Sequence, residues 1–349
     1  MKYILSAIIF ISILLGCGEK NKETVVKEQI DKYAFDTADI KTVPIKETNQ
    51  NYRLYYNLEK NKTYNYRISV LSTNKQKLIM PDTTLSQTIN QTSVYLAGFN
   101  LKNIDKDSTL EIGCNISSIK LNINSDQNSA SYESGVTPDS VVKQKFAEYD
   151  ALINNEFSIR ISKYGEISEI FRVDNIVNKY LNTKGIADSV SGTQKDQMRM
   201  GIIEGLLKPL VIQVFRQFPK KPVGVDSTWS FSQPPAPIII FKSQNTTTFK
   251  LTNLEKTGDE KLAVIKAGLI TNITGKNTMT DKGIVYEFKK PVTDAGGKIY
   301  FNLSRGVIQK SKTSIKVHIS FSMETQTPQG KQKGNREEET NTTNVVELL

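Results

Sequence analysis

The side chains able to do chemistry are few in this chain of 349 residues. His318 is the only histidine, and one histidine can build neither a multi-histidine zinc site nor a Ser-His-Asp triad with a choice of base. Hydrolysis by paired carboxylates needs two Asp or Glu side chains that the fold brings together. The nearest local pairs, which turns explain better, are Asp105/Asp107 and Glu166/Glu169. We therefore predict no catalytic residue, no metal site and no cofactor.

Cys17 has the most distinctive chemical context. Lys2 supplies a positive charge, residues 3–15 are almost entirely apolar, and Leu14-Leu15-Gly16 precedes the cysteine. A charged start followed by a short apolar run that ends in small residues is typical of a secretory signal peptide. The Leu-Leu-Gly-Cys ending resembles the lipoprotein class of bacterial signals, in which the cysteine is acylated and the preceding segment is removed. We therefore expect residues 1–16 to be a signal peptide and Cys17 to be lipidated.

A lipidated Cys17 would fix the location of the protein. One acyl chain binds a membrane only marginally, whereas two or three chains anchor a protein firmly. We expect a membrane-anchored lipoprotein of the bacterial cell envelope, with the outer membrane as the expected membrane. The formal charge is +10, but the lysines and arginines are scattered, without a dense basic stripe. The expected partners are the membrane itself and an envelope protein, a polysaccharide or a lipid, and not nucleic acid.

Alternating polar and apolar residues predict a chain rich in antiparallel strands. A hairpin is predicted over residues 52–70, and long strands are predicted over 86–101 and 108–124. A further hairpin over 157–172 turns at Tyr164-Gly165-Glu166, and most of the chain after Pro222 again has strand character. Cys114 alternates with apolar residues within a predicted strand, so we expect it to be buried and unreactive.

Helical signals are confined to the middle of the chain. Pro138 at a first helical position predicts a helix over 137–152, and further helices are predicted over 174–181 and 194–218. The fold class expected from this pattern is α+β, mainly antiparallel β, with long curved sheets and a central helical segment at about 137–218. The expected organisation is listed in chain order: signal peptide 1–16, flexible tether 17–48, β-rich domain with helices 49–218, and antiparallel β domain 219–349.

The helix around Met198–Phe218 is apolar over much of its circumference. Helices of this kind are normally buried, and we favour a core helix packed on a sheet. The alternative is a lid over an apolar cavity, as in lipid carriers. In that case the residues expected to line the ligand site are Met198, Ile202, Leu206, Leu210 and Val214.

A connector after this helix carries a family resemblance. The segment from Phe218 to Trp229 contains Pro219, Pro222-Val223 and Asp226-Ser227-Thr228-Trp229. It resembles the connector that joins a helical segment to a C-terminal β region in a family of uncharacterised bacterial envelope lipoproteins. Tyr164-Gly165-Glu166-Ile167 is similar to a hairpin of the same family, although Gly224 here precedes Val225 and not Asp226. The resemblance implies a location and a fold, and no activity.

Six Asp-Ser/Thr triplets resemble the O-glycosylation triplet of some exported bacterial proteins, and they suit helix caps and turns as well. They begin at Asp36, Asp82, Asp107, Asp139, Asp188 and Asp226.

Three functions follow in order of preference. The first is a lipid-anchored, non-enzymatic binding or structural module of the envelope. The second is a carrier or chaperone for lipid-like apolar ligands held between sheet and helix. The third is an unrecognised carboxylate-based hydrolase. A filled core beneath the 198–218 helix favours the first, an apolar cavity there favours the second, and a cleft with two facing carboxylates favours the third.

Overall fold

The computed structural model describes residues 31–46, 50–136, 140–327 and 330–349. Strands make up 57% of the chain and helices 16%, so the α+β class expected from the sequence is wrong and the protein is mostly antiparallel β. The central segment of about 137–218 contributes less helix than expected, because its helices are only 6 to 11 residues long. The several sheets expected are likewise one large sheet.

Sixteen strands form the sheet within the described residues. In chain order they are β1 (Val43–Pro44), β2 (Thr63–Met80), β3 (Thr83–Ile104), β4 (Thr109–Ser125), β5 (Ser129–Glu133), β6 (Phe157–Ser162), β7 (Ile167–Phe171), β8 (Thr228–Ser232), β9 (Ala236–Ile238), β10 (Phe241–Thr257), β11 (Glu260–Thr274), β12 (Thr278–Asp281), β13 (Ile284–Phe288), β14 (Val292–Asn302), β15 (Val307–Thr327) and β16 (Gly330–Leu348).

The strand order across the sheet is β1-β10-β11-β14-β15-β16-β2-β3-β4-β6-β7. Short strands extend its margins, with β5 beside β4, β8 and β9 beside β10, and the β12–β13 hairpin beside β15. Because β16 pairs with β2, strands from both sides of the expected division at residues 218 and 219 belong to the same sheet. The division into two domains stays a prediction.

Among the described residues between β5 and β8 there are five short α-helices. They are α1 (Ser140–Lys145), α2 (Ala147–Leu152), α3 (Asp174–Lys184), α4 (Gly192–Ile202) and α5 (Lys208–Val214). A π-helical segment, Ile203–Leu207, joins α4 to α5, and a 3₁₀ turn, Ala187–Ser189, precedes α4. Ser191 caps α4, since its hydroxyl accepts a hydrogen bond from the Gln194 amide and the Gln194 side chain returns to the Ser191 amide. In the described chain, no helix is long and apolar enough to cross a membrane.

The helices cover one face of the sheet, which we call the inner face. One row of residues that lie directly opposite one another on neighbouring strands shows how fully this face is covered, because every residue in it is at least 90% buried. The row runs across eight strands through Leu251, Ile265, Ile299, Ser311, Val346, Ile68, Tyr95 and Ile119. Side chains alternate between faces along a strand, so the residues next to these in sequence point to the opposite, outer face.

Residues 31–46, here called the N-terminal strap, lie on the outer face. The Lys32 ammonium donates to the Ser118 hydroxyl at 2.9 Å, and Ile40 packs on Leu262, Val264 and Tyr300. At its end the strap adds β1 to the edge of β10. The strap thus crosses the sheet from β4 to β10 within the part of the chain that was expected to be a tether.

Several predicted elements are confirmed, whereas the hairpin over residues 52–70 and the single helix over residues 194–218 are wrong. The turn at residues 105–107 separates β3 from β4, and the turn at Tyr164-Gly165-Glu166 separates β6 from β7. The hairpin predicted over residues 52–70 is wrong, because only its second half is a strand. Leu54, Tyr56 and Leu58 are nevertheless buried. The alternation of polar and apolar residues here therefore comes from an irregular segment that packs on the core.

Candidate functional site

The residues predicted to line an apolar ligand site do not share one surface. Leu210 and Val214 are buried in the core beneath α5, and Ile202 is buried at the end of α4. Met198 is half-buried against the same core, whereas Leu206 is half-buried on the side of the helix that faces solvent. The structure therefore divides the predicted set between the protein interior and a surface groove.

The π-helical segment causes this division. A regular α-helix would keep residues spaced by four on one face. The wider turn of a π-helix, with its i→i+5 hydrogen bonds, changes which residue faces the core at this point. Leu207 is fully buried and Leu206 is not. Sequence periodicity had favoured Leu206.

Aromatic rings fill the space beneath the end of the helical segment. Phe218 lies 4.6 Å from Phe301 between ring centroids, and Phe215 lies 5.4 Å from Phe99. Tyr56 contacts the rings of both Phe215 and Phe218. Such edge-to-face and tilted contacts pack an interior densely. A core filled with rings at this position fits a structural helix and not a lid over a void.

The Tyr56 hydroxyl also forms hydrogen bonds with the backbone just after the helical segment. It accepts a hydrogen bond from the Arg216 amide at 2.6 Å and lies 3.1 Å from the Arg216 carbonyl oxygen. Burial raises the pKa of Tyr56 well above its ordinary value, so the hydroxyl stays neutral. The Arg216 guanidinium donates to Thr313 on the inner face at 3.4 Å, and desolvation lowers its pKa to about 10.

A shallow groove of about 280 Å³ follows the outer side of α4 and the π-helical segment. It contains three predicted lining residues, Met198, Ile202 and Leu206, together with Glu148 and Tyr180. Desolvation raises the pKa values of both the Glu148 carboxyl and the Tyr180 hydroxyl. The volume of the groove is just below the usual range for ligand sites, and the groove is open at the surface.

Two of the remaining chemical candidates, Asp107 and Glu169, have structural partners. The Asp107 carboxylate accepts hydrogen bonds from the amide and the hydroxyl of Thr109, and Glu169 forms an ion pair with Arg160 at 2.7 Å. His318 lies in register with Glu339 of β16. Within the described residues no group of three His, Cys, Asp or Glu side chains is placed to hold a metal ion.

Cys114 is buried, as predicted, with 1% of its surface exposed. Desolvation raises the pKa of its thiol well above the ordinary value, which disfavours the reactive thiolate. Cys17 lies outside the described residues, so its lipidation stays a prediction.

Four lysines form a row across the outer face. In register, Lys250 of β10 is opposite Lys266 of β11, Lys266 is opposite Lys298 of β14, and Lys298 is opposite Lys312 of β15. Directly opposite residues point to the same face. Neighbouring strands are about 4.8 Å apart, so the row is about 14 Å long.

The charges of this row are only half compensated. Lys250 forms an ion pair with Asp226 at 2.8 Å, and Lys298 is paired with Asp39 of the N-terminal strap. Lys266 and Lys312 are exposed, and in the described part of the chain neither has an ion pair or a side-chain hydrogen bond. Like charges directly opposite one another destabilise a sheet, so this row has a cost in stability that packing does not explain.

The row borders a trough with a floor of small residues. One register row further along the same face, the strands carry Thr248, Gly268, Gly296 and Ser314. Two depressions of about 460 Å³ and about 380 Å³ meet at Lys266. The four lysines and this floor are called the lysine trough below. The arrangement can hold an anionic group at Lys266 and at Lys312, the two lysines without an ion pair among the described residues, and hydroxyl groups along the floor.

Residues 105–308 match the profile of a family of unknown function, DUF6263. The chain belongs to that family. No curated protein matches it. Among solved structures, a lipovitellin described for its lipid–protein interactions is similar at a TM-score of 0.39 and 11% identity, over 84% of this chain and 25% of its own. An outer membrane channel from Pseudomonas putida F1 has a TM-score of 0.19 and 6% identity, over 84% of this chain and 98% of its own.

The present chain spans about a quarter of the lipovitellin chain, and at these TM-scores neither likeness carries an argument about function. Membership of an uncharacterised family agrees with the coarser part of the resemblance drawn from the sequence, and its assignment to envelope lipoproteins stays a prediction. The family match includes three lysines of the trough, Lys250, Lys266 and Lys298, and ends before Lys312.

Sequence reasoning missed the lysine trough. Its lysines lie 16, 32 and 14 positions apart along the chain, and they had been counted among scattered surface charges. Only the strand register brings them together. A usable signal exists in Lys250 and Lys266, because they lie in the region of strand character after Pro222, on either side of Gly258. A hairpin that turns at this glycine would place the two lysines close together.

Proposed function

We propose that this chain is a membrane-anchored, non-enzymatic binding module of the bacterial cell envelope, with the outer membrane as its location. The observation that carries the proposal is the filled aromatic core beneath Phe215 and Phe218. It leaves the helical segment as a structural cover of the inner face. The part of the outer face that the N-terminal strap leaves uncovered, where lysines lack ion pairs among the described residues, is then the surface available for binding.

The carrier alternative requires an apolar space beneath the helical segment. The residues that would line it, Leu210 and Val214, are buried against the core and not facing a cavity. The hydrolase alternative requires two facing carboxylates in a cleft, and the local pairs considered from the sequence are engaged in a turn and an ion pair. Both alternatives are therefore less well supported than a binding module.

Membrane attachment is supported by Lys2, the apolar run of residues 3–15 and Leu14-Leu15-Gly16-Cys17. We expect Cys17→Ala to move the protein out of the detergent-requiring membrane fraction, because acyl chains on Cys17 would be the membrane anchor. The measurement is fractionation of cells followed by quantification of the chain in each fraction.

The matched control is Cys114→Ala, which removes the other cysteine and should leave the protein in the membrane fraction. If the Cys17→Ala protein still needed detergent for extraction, lipid anchoring at this residue would be refuted. A lipid-modified peptide that begins at Cys17, detected by mass spectrometry of the unmodified chain, would support it directly.

A further inference from the structure

We propose that the lysine trough binds a linear acidic polysaccharide, a polymer of sugar units that carry carboxylate or sulfate groups. The inference rests on the proposed function for the envelope setting, and on the outer face alone for the site. It names the partner class of the binding module.

The unpaired charges are the first support. Lys266 and Lys312 are exposed, and neither forms an ion pair in the described chain, although each stands directly opposite another lysine. Lys312 is close enough to the Asp36 carboxyl of the N-terminal strap to help lower its pKa, so Lys266 is the less compensated of the two. An anionic ligand would remove this repulsion when it binds. The other two lysines of the row show that carboxylates bind at this surface, because Asp39 forms an ion pair with Lys298 and Asp226 forms one with Lys250.

The spacing of the row is the second support. Successive lysines are one strand apart, about 4.8 Å, and this distance is close to the length of one sugar unit in an extended chain. The members that lack an ion pair in the described chain, Lys266 and Lys312, are two strands apart, about 9.6 Å, because Lys298 between them is paired with Asp39. A polysaccharide that crosses the strands at right angles would therefore present every second acidic group to an unpaired lysine. A compact anion would engage one of these two lysines and leave the other unmatched.

The floor is the third support. Gly268 and Gly296 leave the surface beside the lysines without side chains, and Thr248 and Ser314 add hydroxyl groups at its two ends. Thr228 and Ser230 extend this hydroxyl lining at the first depression. Hydroxyl groups and bare backbone suit the hydroxyl groups of sugars. A recessed line of charge beside the N-terminal strap is also a poorer match for a flat membrane surface.

The test is binding of a fluorescently labelled polygalacturonate oligomer to the full chain purified in detergent, measured by fluorescence anisotropy. We expect saturable binding that weakens as salt is raised, because exposed charges are screened over about 8 Å at physiological ionic strength. The double variant Lys266→Gln/Lys312→Gln should bind roughly tenfold more weakly, as the loss of two exposed ion pairs predicts.

The control variant Lys106→Gln/Lys143→Gln removes the same charge from exposed positions outside the trough and should keep the affinity of the unmodified chain. If both variants bound equally weakly, net charge alone would explain the effect, and the proposal would be overturned. The absence of saturable binding would also overturn it. Melting curves establish that each variant is folded, and Lys266→Glu provides a second variant in which the expected loss is larger.

Two further probes distinguish the partner class. Neutral dextran of matched length should not bind. If vesicles containing phosphatidylglycerol bound through Lys266 and Lys312 while polygalacturonate did not, the trough would be a membrane-contact surface and the polysaccharide proposal would be wrong. Neither result depends on the fractionation of Cys17→Ala, so failure of this inference and failure of the proposed anchoring are separable.

Discussion

Leu207→Ala is expected to lower the free energy of unfolding by about 2–5 kcal/mol, because it removes a fully buried side chain and leaves a cavity in a dense core. Leu207 lies in the π-helical segment and belongs to the main core cluster together with Val211 and Val214. The measurement is equilibrium denaturation in urea, monitored by the fluorescence of Trp229 and by circular dichroism.

Leu206→Ala is the matched control, since it makes the same change one position away. Leu206 is half-buried at the edge of the surface groove, so this variant should lose clearly less stability than Leu207→Ala. The reverse order would mean that the helix keeps a regular α period through this region. Similar small losses in both variants would mean that the helical segment is not packed on the core.

Gly165→Ala is expected to destabilise the protein by roughly 2–5 kcal/mol, the sum of left-handed backbone strain and overpacking. Gly165 has φ of +85° at the turn between β6 and β7. A Cβ there would lie 2.1 Å from the carbonyl oxygen of Arg216 and 2.9 Å from the Tyr56 ring. Because backbone cannot move as easily as a flexible side chain, the hairpin or the end of α5 would have to shift.

Gly185→Ala separates the two contributions to this effect. Gly185 also has positive φ, +67°, but a Cβ there would meet no atom within 4 Å. It should therefore cost only about 1–2 kcal/mol for the backbone conformation. Equal losses at Gly165 and Gly185 in thermal or urea denaturation would contradict the close contact between the hairpin turn and the helix end.

The local elements could be predicted from the sequence where one physical signal dominates. The β6–β7 turn follows from a glycine between two alternating runs, and the end of the helical region is marked by Pro219. Cys114 was correctly assigned to a buried strand because its neighbours alternate with period two. These are short-range signals that a single sequence carries.

Long-range arrangement could not be predicted in the same way. The pairing of β16 with β2 joins the last strand to the first long one, and no local pattern encodes such a register. The lysine trough depends entirely on this kind of information. The α+β expectation is wrong for a related reason, since periodicity over residues 194–218 predicts one long helix, whereas α4, the π-helical segment and α5 share that range.

The separation of Leu206 from Leu207 shows the limit most clearly. Helical periodicity places Met198, Ile202, Leu206 and Leu210 on one face, and a single π turn breaks that series. A shift of one residue decides which leucine lies in the core. Sequence reasoning named the right segment for the core and the wrong leucine within it.

The most direct test of the central claim is titration of the purified chain with a fluorescent fatty acid. A binding module whose helical segment closes a filled core should show no saturable uptake of this probe. Any weak signal should rise linearly with probe concentration and should be the same in the unmodified chain and in Leu210→Trp. Saturable binding that Leu210→Trp weakens would contradict the account, because it would place an apolar ligand beneath the helix and make the protein a carrier.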